Sequence, residues 1–155
     1  VGTDPLDPGI KGRHLQILGG AEDVTITNNT FVGGRAANAI MFSGARGARL
    51  RVQANVFPES DYDVWGDQGM GGKGMATVNF FYTDAVFRDN VIFAGWAAWA
   101  NTGNATPPTF DQSIFMNPIA GDFRLPETGA IARSVGQVPG IRSTLSAIRS
   151  VRSAP

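Results

Sequence analysis

Three aspartates lie in one short run, Asp61-Tyr-Asp63-Val-Trp-Gly-Asp67. Carboxylate oxygens on a glycine-containing loop are the hard ligands that Ca²⁺ takes. The spacing departs from the EF-hand loop and no glutamate closes it. Loop solubility is therefore the preferred account, and Ca²⁺ the weaker one. A second set is aromatic. Tyr62, Trp65, Trp96 and Trp99, with Tyr82, offer faces that can cover the C–H surface of a sugar. Packing of a loop on the body of the fold is the ordinary alternative. Gly69-Met-Gly-Gly-Lys-Gly74 has the glycines and lysine of a phosphate loop. Glycine follows the lysine where Ser or Thr is needed, and Asp67 takes the earlier glycine position, so the run reads as a flexible insertion. Asn28-Asn-Thr30 and Asn104-Ala-Thr106 match the glycosylation triplet but carry little weight.

The elements that must position these residues follow from a repeat. Val24-Thr-Ile-Thr-Asn-Asn29-Thr-Phe31, Leu50-Arg-Val-Gln-Ala-Asn55-Val-Phe57 and Ala85-Val-Phe-Arg-Asp-Asn90-Val-Ile92 align on their asparagines. Each is an alternating strand, an Asn, one residue, then a large apolar side chain. Imperfect repeats of this kind predict an all-β solenoid of parallel coils, stacked at about 4.8 Å per layer. Val24, Leu50 and Ala85 face inward on this reading, as do Ile26, Val52 and Phe87. Thr25, Arg51 and Val86 face outward, with Thr27, Gln53 and Arg88. Asn29, Asn55 and Asn90 form an internal ladder. Asp23, Arg49 and Asp84 alternate in sign and predict a surface salt-bridge ladder worth little per contact.

Around these repeats, residues 1–12 read as an irregular lead-in and 13–136 as the solenoid domain. His14–Leu18, Ala39–Ser43 and Thr77–Tyr82 are the companion strands, and 58–76 is an insertion outside the body. Residues 94–108 form a second variable region, and 110–136 a closing segment. Ile141, Leu145, Ile148 and Val151 recur at helical spacing, so 137–155 is expected to form a short capping helix.

Composition narrows the function classes. The 155 residues include 20 Gly and 9 Pro, with 43% hydrophobic and 17% charged residues and zero net charge. That suits short strands and tight turns, and it points away from nucleic acid. With no Cys, disulfides and thiolate zinc sites are excluded. No run approaches the roughly 18 apolar residues of a membrane span.

The coil pattern Asp23-Val-Thr-Ile-Thr-Asn-Asn-Thr-Phe31 resembles that of right-handed parallel β-helix proteins, the superfamily that includes pectate lyases. Phe115-Met-Asn-Pro118, Gly121-Asp-Phe-Arg-Leu-Pro126 and Gly129 resemble its closing segment. Tyr62-Asp-Val-Trp-Gly66 and Ala85-Val-Phe-Arg-Asp-Asn-Val91 resemble large exported bacterial members without an assigned activity. The resemblance implies an extracellular or envelope location and a role as a non-catalytic scaffold or carbohydrate-associated module, as the C-terminal part of a longer chain. The alternative it implies is β-elimination on an acidic polysaccharide. That reaction needs a base for the proton beside the carboxylate and a donor for the enolate. Arg51, Arg88 and His14 are the candidates, against an ordinary reading as surface and strand-end residues. An open first coil would also invite association. Residues 1–12 are expected to fold over it, or two chains to pair end to end as a homodimer.

Overall fold

The computed structural model describes residues 3–4, 7–33, 36–126 and Ile131. The described residues are mostly β-structure, in small sheets that are parallel with one exception. In chain order the strands are β1 (Thr3–Asp4), β2 (Asp7–Lys11), β3 (Arg13–Leu18), β4 (Thr25–Thr27), β5 (Ala36–Ser43), β6 (Gly47–Ala48), β7 (Arg51–Gln53), β8 (Val56–Phe57) and β9 (Ser60–Gly66). Helix α1 (Met75–Phe81) follows, then β10 (Tyr82–Thr83), β11 (Val86–Arg88) and β12 (Val91–Ile92). The aligned repeat segments lie side by side in the order β11-β7-β4, with Ile26, Val52 and Phe87 in register. The companion strands run β3-β5-β9, with Leu15 opposite Ile40 and Ile40 opposite Val64. The antiparallel exception is β1 with β2, where the sequence predicts an irregular lead-in.

Burial follows the inward columns. Ile40, Phe42, Leu50, Val52 and Val64 are fully buried in the middle of the stack. Leu15, Ile17, Val24 and Ile26 occupy the same columns on β3 and before or within β4, yet are only partly buried. Between Phe31 and Phe57 the rings stack at 4.7 Å. Each repeat turns at two residues in the left-handed backbone region: Asp23 and Asn28, Arg49 and Ala54, Asp84 and Asp89. That region costs L-residues about 1 kcal/mol or more, so tertiary contacts hold it.

Three expectations are corrected. Residues 77–81 are helical, not extended. Val78 and Phe81 are buried while Phe80 is 51% exposed, which is helical and not period-2 burial. The alternation of apolar residues in this stretch fits either period, and no Gly or Pro interrupts a helix there. Second, the start of the 58–76 segment is not outside the body, because β9 is the third strand on β5. Its Gly66 and Trp65 continue the Phe42 and Met41 columns. Third, Gln53 shares the outward face with Arg51 but is covered there, only 3% exposed, with the Arg51 guanidinium lying along the strand and donating to its Oε1. The predicted capping helix at 137–155 falls outside the described residues.

Gly66 shows how β9 and α1 fit. A Cβ there would meet the Met70 carbonyl at 2.0 Å and the Phe81 ring at 2.5 Å. Gly66→Ala is expected to cost about 2 kcal/mol through overpacking, read as a shift in denaturation midpoint at unchanged slope.

Candidate functional site

Arg51 and Arg88 lie on adjacent strands of one outward face, with Arg51 opposite Val86 and Arg88 opposite Gln53. Both are exposed. Arg88 pairs loosely with its neighbour Asp89 at 3.5 Å. His14 does not join them. It lies on β3 in the other sheet, 6.0 Å from the Phe31 ring, with Nε2 buried and without a hydrogen-bond partner among the described residues. Burial pulls its pKa down to about 4, so the ring is neutral at pH 7. Arg49 binds Asp23 at 2.6 and 2.9 Å and Glu22 at 2.6 Å. The predicted alternating salt-bridge ladder therefore stops at one end, because no ion pair links Arg49 to Asp84. Asp23, Thr25, Arg49, Arg51 and Asp84 line a shallow depression of about 340 Å³.

The three aspartates of the 61–67 run point to three different partners. Asp61 takes the Lys11 ammonium at 2.6 Å. Asp67 accepts from the Ser43 hydroxyl at 3.1 Å. Asp63 is fully buried, and its Oδ2 accepts from the Trp96 amide at 2.7 Å and the Trp99 indole at 3.0 Å. Its Oδ1 is buried without a hydrogen-bond partner among the described residues. Burial raises the carboxyl pKa, while the two donors oppose the shift. Among the described residues no cluster of three or more His, Asp or Glu side chains converges as a metal site would require.

The structure divides the predicted aromatics. Tyr62, Trp65 and Trp96 meet on the outside of β9. Their ring centroids are 4.5 Å apart for Tyr62–Trp65, 6.2 Å for Tyr62–Trp96 and 6.5 Å for Trp65–Trp96. Tyr62 is 44% exposed, and the Lys73 ammonium lies 4.7 Å over the Trp96 ring. Trp99 belongs to the interior, stacked on Phe87 at 4.9 Å. Tyr82 is buried against Phe42. Asp63 thus ties the outer cluster to the core: it holds the backbone of Trp96 and the indole of Trp99 at once.

The polar arrangement that runs deepest is the asparagine ladder. Asn29 donates from its amide nitrogen and its side-chain Nδ2 to Asn55 Oδ1, each at 3.0 Å. Asn55 does the same to Asn90 Oδ1, and Asn90 to Asn104 Oδ1. Nδ2 of Asn55 also reaches the Ile26 carbonyl of the level before, and Nδ2 of Asn90 reaches that of Val52. Asn104 is a fourth rung that the sequence reading missed. No large apolar residue stands two places after it, and it follows Asn90 by only 14 residues. A backbone signal does continue: the residue before each ladder asparagine, Asn28, Ala54, Asp89 and Gly103, is left-handed. Gly103 preceding an Asn was the readable clue.

The chain matches no protein-family model, no curated protein and no solved structure.

Proposed function

We propose that the chain is a right-handed parallel β-helix serving as a non-catalytic, carbohydrate-associated scaffold. The observation that carries the scaffold reading is the dispersal of the reactive groups. Arg51 and Arg88 have only the carboxylates of Asp84 and Asp89 near them among the described residues, and His14 is neutral, half-buried and on another sheet. Buried Asn55, Asn90 and Asp63 instead serve the ladder and the tie to Trp96 and Trp99. In-register parallel pairing of three repeats supports the β-helix. The carbohydrate contact is the Tyr62–Trp65–Trp96 cluster, whose Tyr62 face remains open to a sugar ring. An exported protein of the cell surface fits this role, and no described helix is long and apolar enough to cross a membrane.

Titration with neutral and acidic polysaccharides, followed by tryptophan fluorescence, tests the contact. Trp65→Ala is expected to weaken binding about tenfold, the loss of one aromatic stacking contact. Equal binding by the variant and the unaltered chain would remove the cluster from the proposal. The depression beside Arg51 and Asp84 keeps a polysaccharide lyase as a second reading. Unsaturated uronate product, abolished by Arg51→Ala or Arg88→Ala, would replace the scaffold reading with that one.

A further inference from the structure

The outward face of the β11-β7-β4 sheet carries charges that its own side chains leave unbalanced. Asp23, Arg49 and Asp84 stand at left-handed corners, one on each level. Backbone bonds stack corner on corner: the Asp23 amide donates to the Ala48 carbonyl at 3.1 Å, and the Arg49 amide to that of Thr83 at 2.8 Å. The Arg49 guanidinium reaches one way only, to Asp23 and Glu22. Asp84 is exposed, and among the described residues its carboxylate takes part in no ion pair. One level away Arg51 is also exposed, and its guanidinium meets the neutral Gln53 side chain and no carboxylate. Val86 lies between the two, in register with Arg51 and two residues after Asp84. Its N–H donates to the Leu50 carbonyl at 2.8 Å, which fixes the floor of the depression that all of these groups line. Levels about 4.8 Å apart, and two residues covering about 6.7 Å along a strand, set the Asp84 and Arg51 backbones roughly 8 Å apart. An α-amino acid that gives one charge-assisted hydrogen bond to aspartate and takes one from arginine, each about 2.8 Å long, spans such a gap.

We infer that this depression binds a small zwitterion, an α-amino acid with a short side chain, its ammonium on Asp84, its carboxylate on Arg51 and its carbon skeleton on Val86. Charge selects this class. Three carboxylates, Glu22, Asp23 and Asp84, stand with the single guanidinium of Arg49 on the corner side, and they repel an anion. A metal cation would meet two guanidiniums, Arg49 and Arg51, in the same depression. Only a ligand of both signs, in the order that the site sets, matches both ends. The aromatic contact proposed above lies on β9 in the other sheet, so the inference stands apart from it.

The probe is L-alanine, titrated into the isotope-labelled chain with backbone amide shifts read by NMR. Saturable shifts are expected at Arg51 and Val86, with a dissociation constant in the millimolar range, as two exposed charge contacts allow. N-acetylalanine lacks the ammonium and alanine methyl ester lacks the carboxylate. Each is expected to bind at least about fivefold more weakly. Asp84→Asn keeps a residue that tolerates the left-handed corner. It should weaken alanine by the same factor and leave N-acetylalanine unaffected, while Arg51→Gln weakens alanine and leaves the methyl ester unaffected. Unchanged amide positions elsewhere in the spectrum show that each variant is folded. No saturable shift with alanine, equal binding of N-acetylalanine, or a variant that weakens all three ligands alike overturns the inference. Galacturonate that binds more tightly than alanine, and is indifferent to Asp84→Asn, overturns it in favour of the lyase reading. None of these results bears on the aromatic contact, which Trp65→Ala tests.

Discussion

Asn55→Ala is expected to lower unfolding free energy by about 4 kcal/mol in urea denaturation, at the upper end for a single substitution. Asn55 is fully buried and its side chain takes part in five hydrogen bonds. Alanine takes the acceptor from the Asn29 amide and side chain and a donor from the Ile26 carbonyl. It also takes one of two donors from Asn90 Oδ1, which keeps the Asn55 amide, and from the Gln53 carbonyl, which keeps the Asn28 amide. Each buried group left unpaired costs about 1–3 kcal/mol, with partial relief from neighbouring bonds. Asn29→Ala removes an end rung that is exposed to solvent, so water replaces the lost partners, and a cost of about 1 kcal/mol is expected. Equal costs at the two positions would mean that the ladder is not what holds the levels together.

Asp63→Ala is the second large effect, expected at about 3 kcal/mol. It leaves the Trp96 amide and the Trp99 indole N–H without an acceptor. Because it releases the 96–99 turn, it should also quench the distinct tryptophan environment of the outer cluster. Asp63→Asn isolates the charge. Asparagine keeps one oxygen for both donors and stays neutral. Burial raises the folded-state pKa of Asp63 above its ordinary 3.8, so the carboxyl's favourable share is complete below pH 3.8 and is lost as pH rises through the raised value. The stability of Asp63→Asn relative to the unaltered chain should therefore grow from pH 3.8 toward neutrality. Parallel curves across that range would show that burial does not raise the folded-state pKa of Asp63.

The repeat was legible because three asparagines recur with the same apolar neighbours. Each sits where a side-chain amide can bond both along and across levels, and that demand admits few other residues. The inward columns at Ile26, Val52 and Phe87 were legible for the same reason: alternation is a direct record of which side of a strand meets water. What the sequence hid were the places where two periods coincide. Thr77-Val78 and Phe80-Phe81-Tyr82 fit either period, and the covering of Val78 and Phe81 decides for a helix. Strand β9 was hidden by composition, since acidic and aromatic residues read as a loop. Its pairing with β5 comes from position in the stack. Of the candidate groups, the aromatic cluster was legible only in part. Nothing in Trp96-Ala-Ala-Trp99 says that one ring turns outward and the other is stacked on Phe87. The partner that sorts them is Asp63, which the sequence offered as a calcium ligand.

The paired left-handed corners set rules for how this chain can change in length. Asp23 and Asn28, Arg49 and Ala54, and Asp84 and Asp89 are each five residues apart. Between the second corner of one level and the first corner of the next, the separation differs, and α1 occupies the longer of the two connections. Gaining or losing one residue inside the five-residue span would rotate the following asparagine out of its column and flip the strand's faces. Gaining many in the turns of the outer connections, outside β5, β9 and α1, would add only loop-closure entropy, which grows slowly with length. New peptide segments can therefore be grafted into the turn between β5 and β6 or that between β9 and α1, on a frame whose short spans do not tolerate a single insertion.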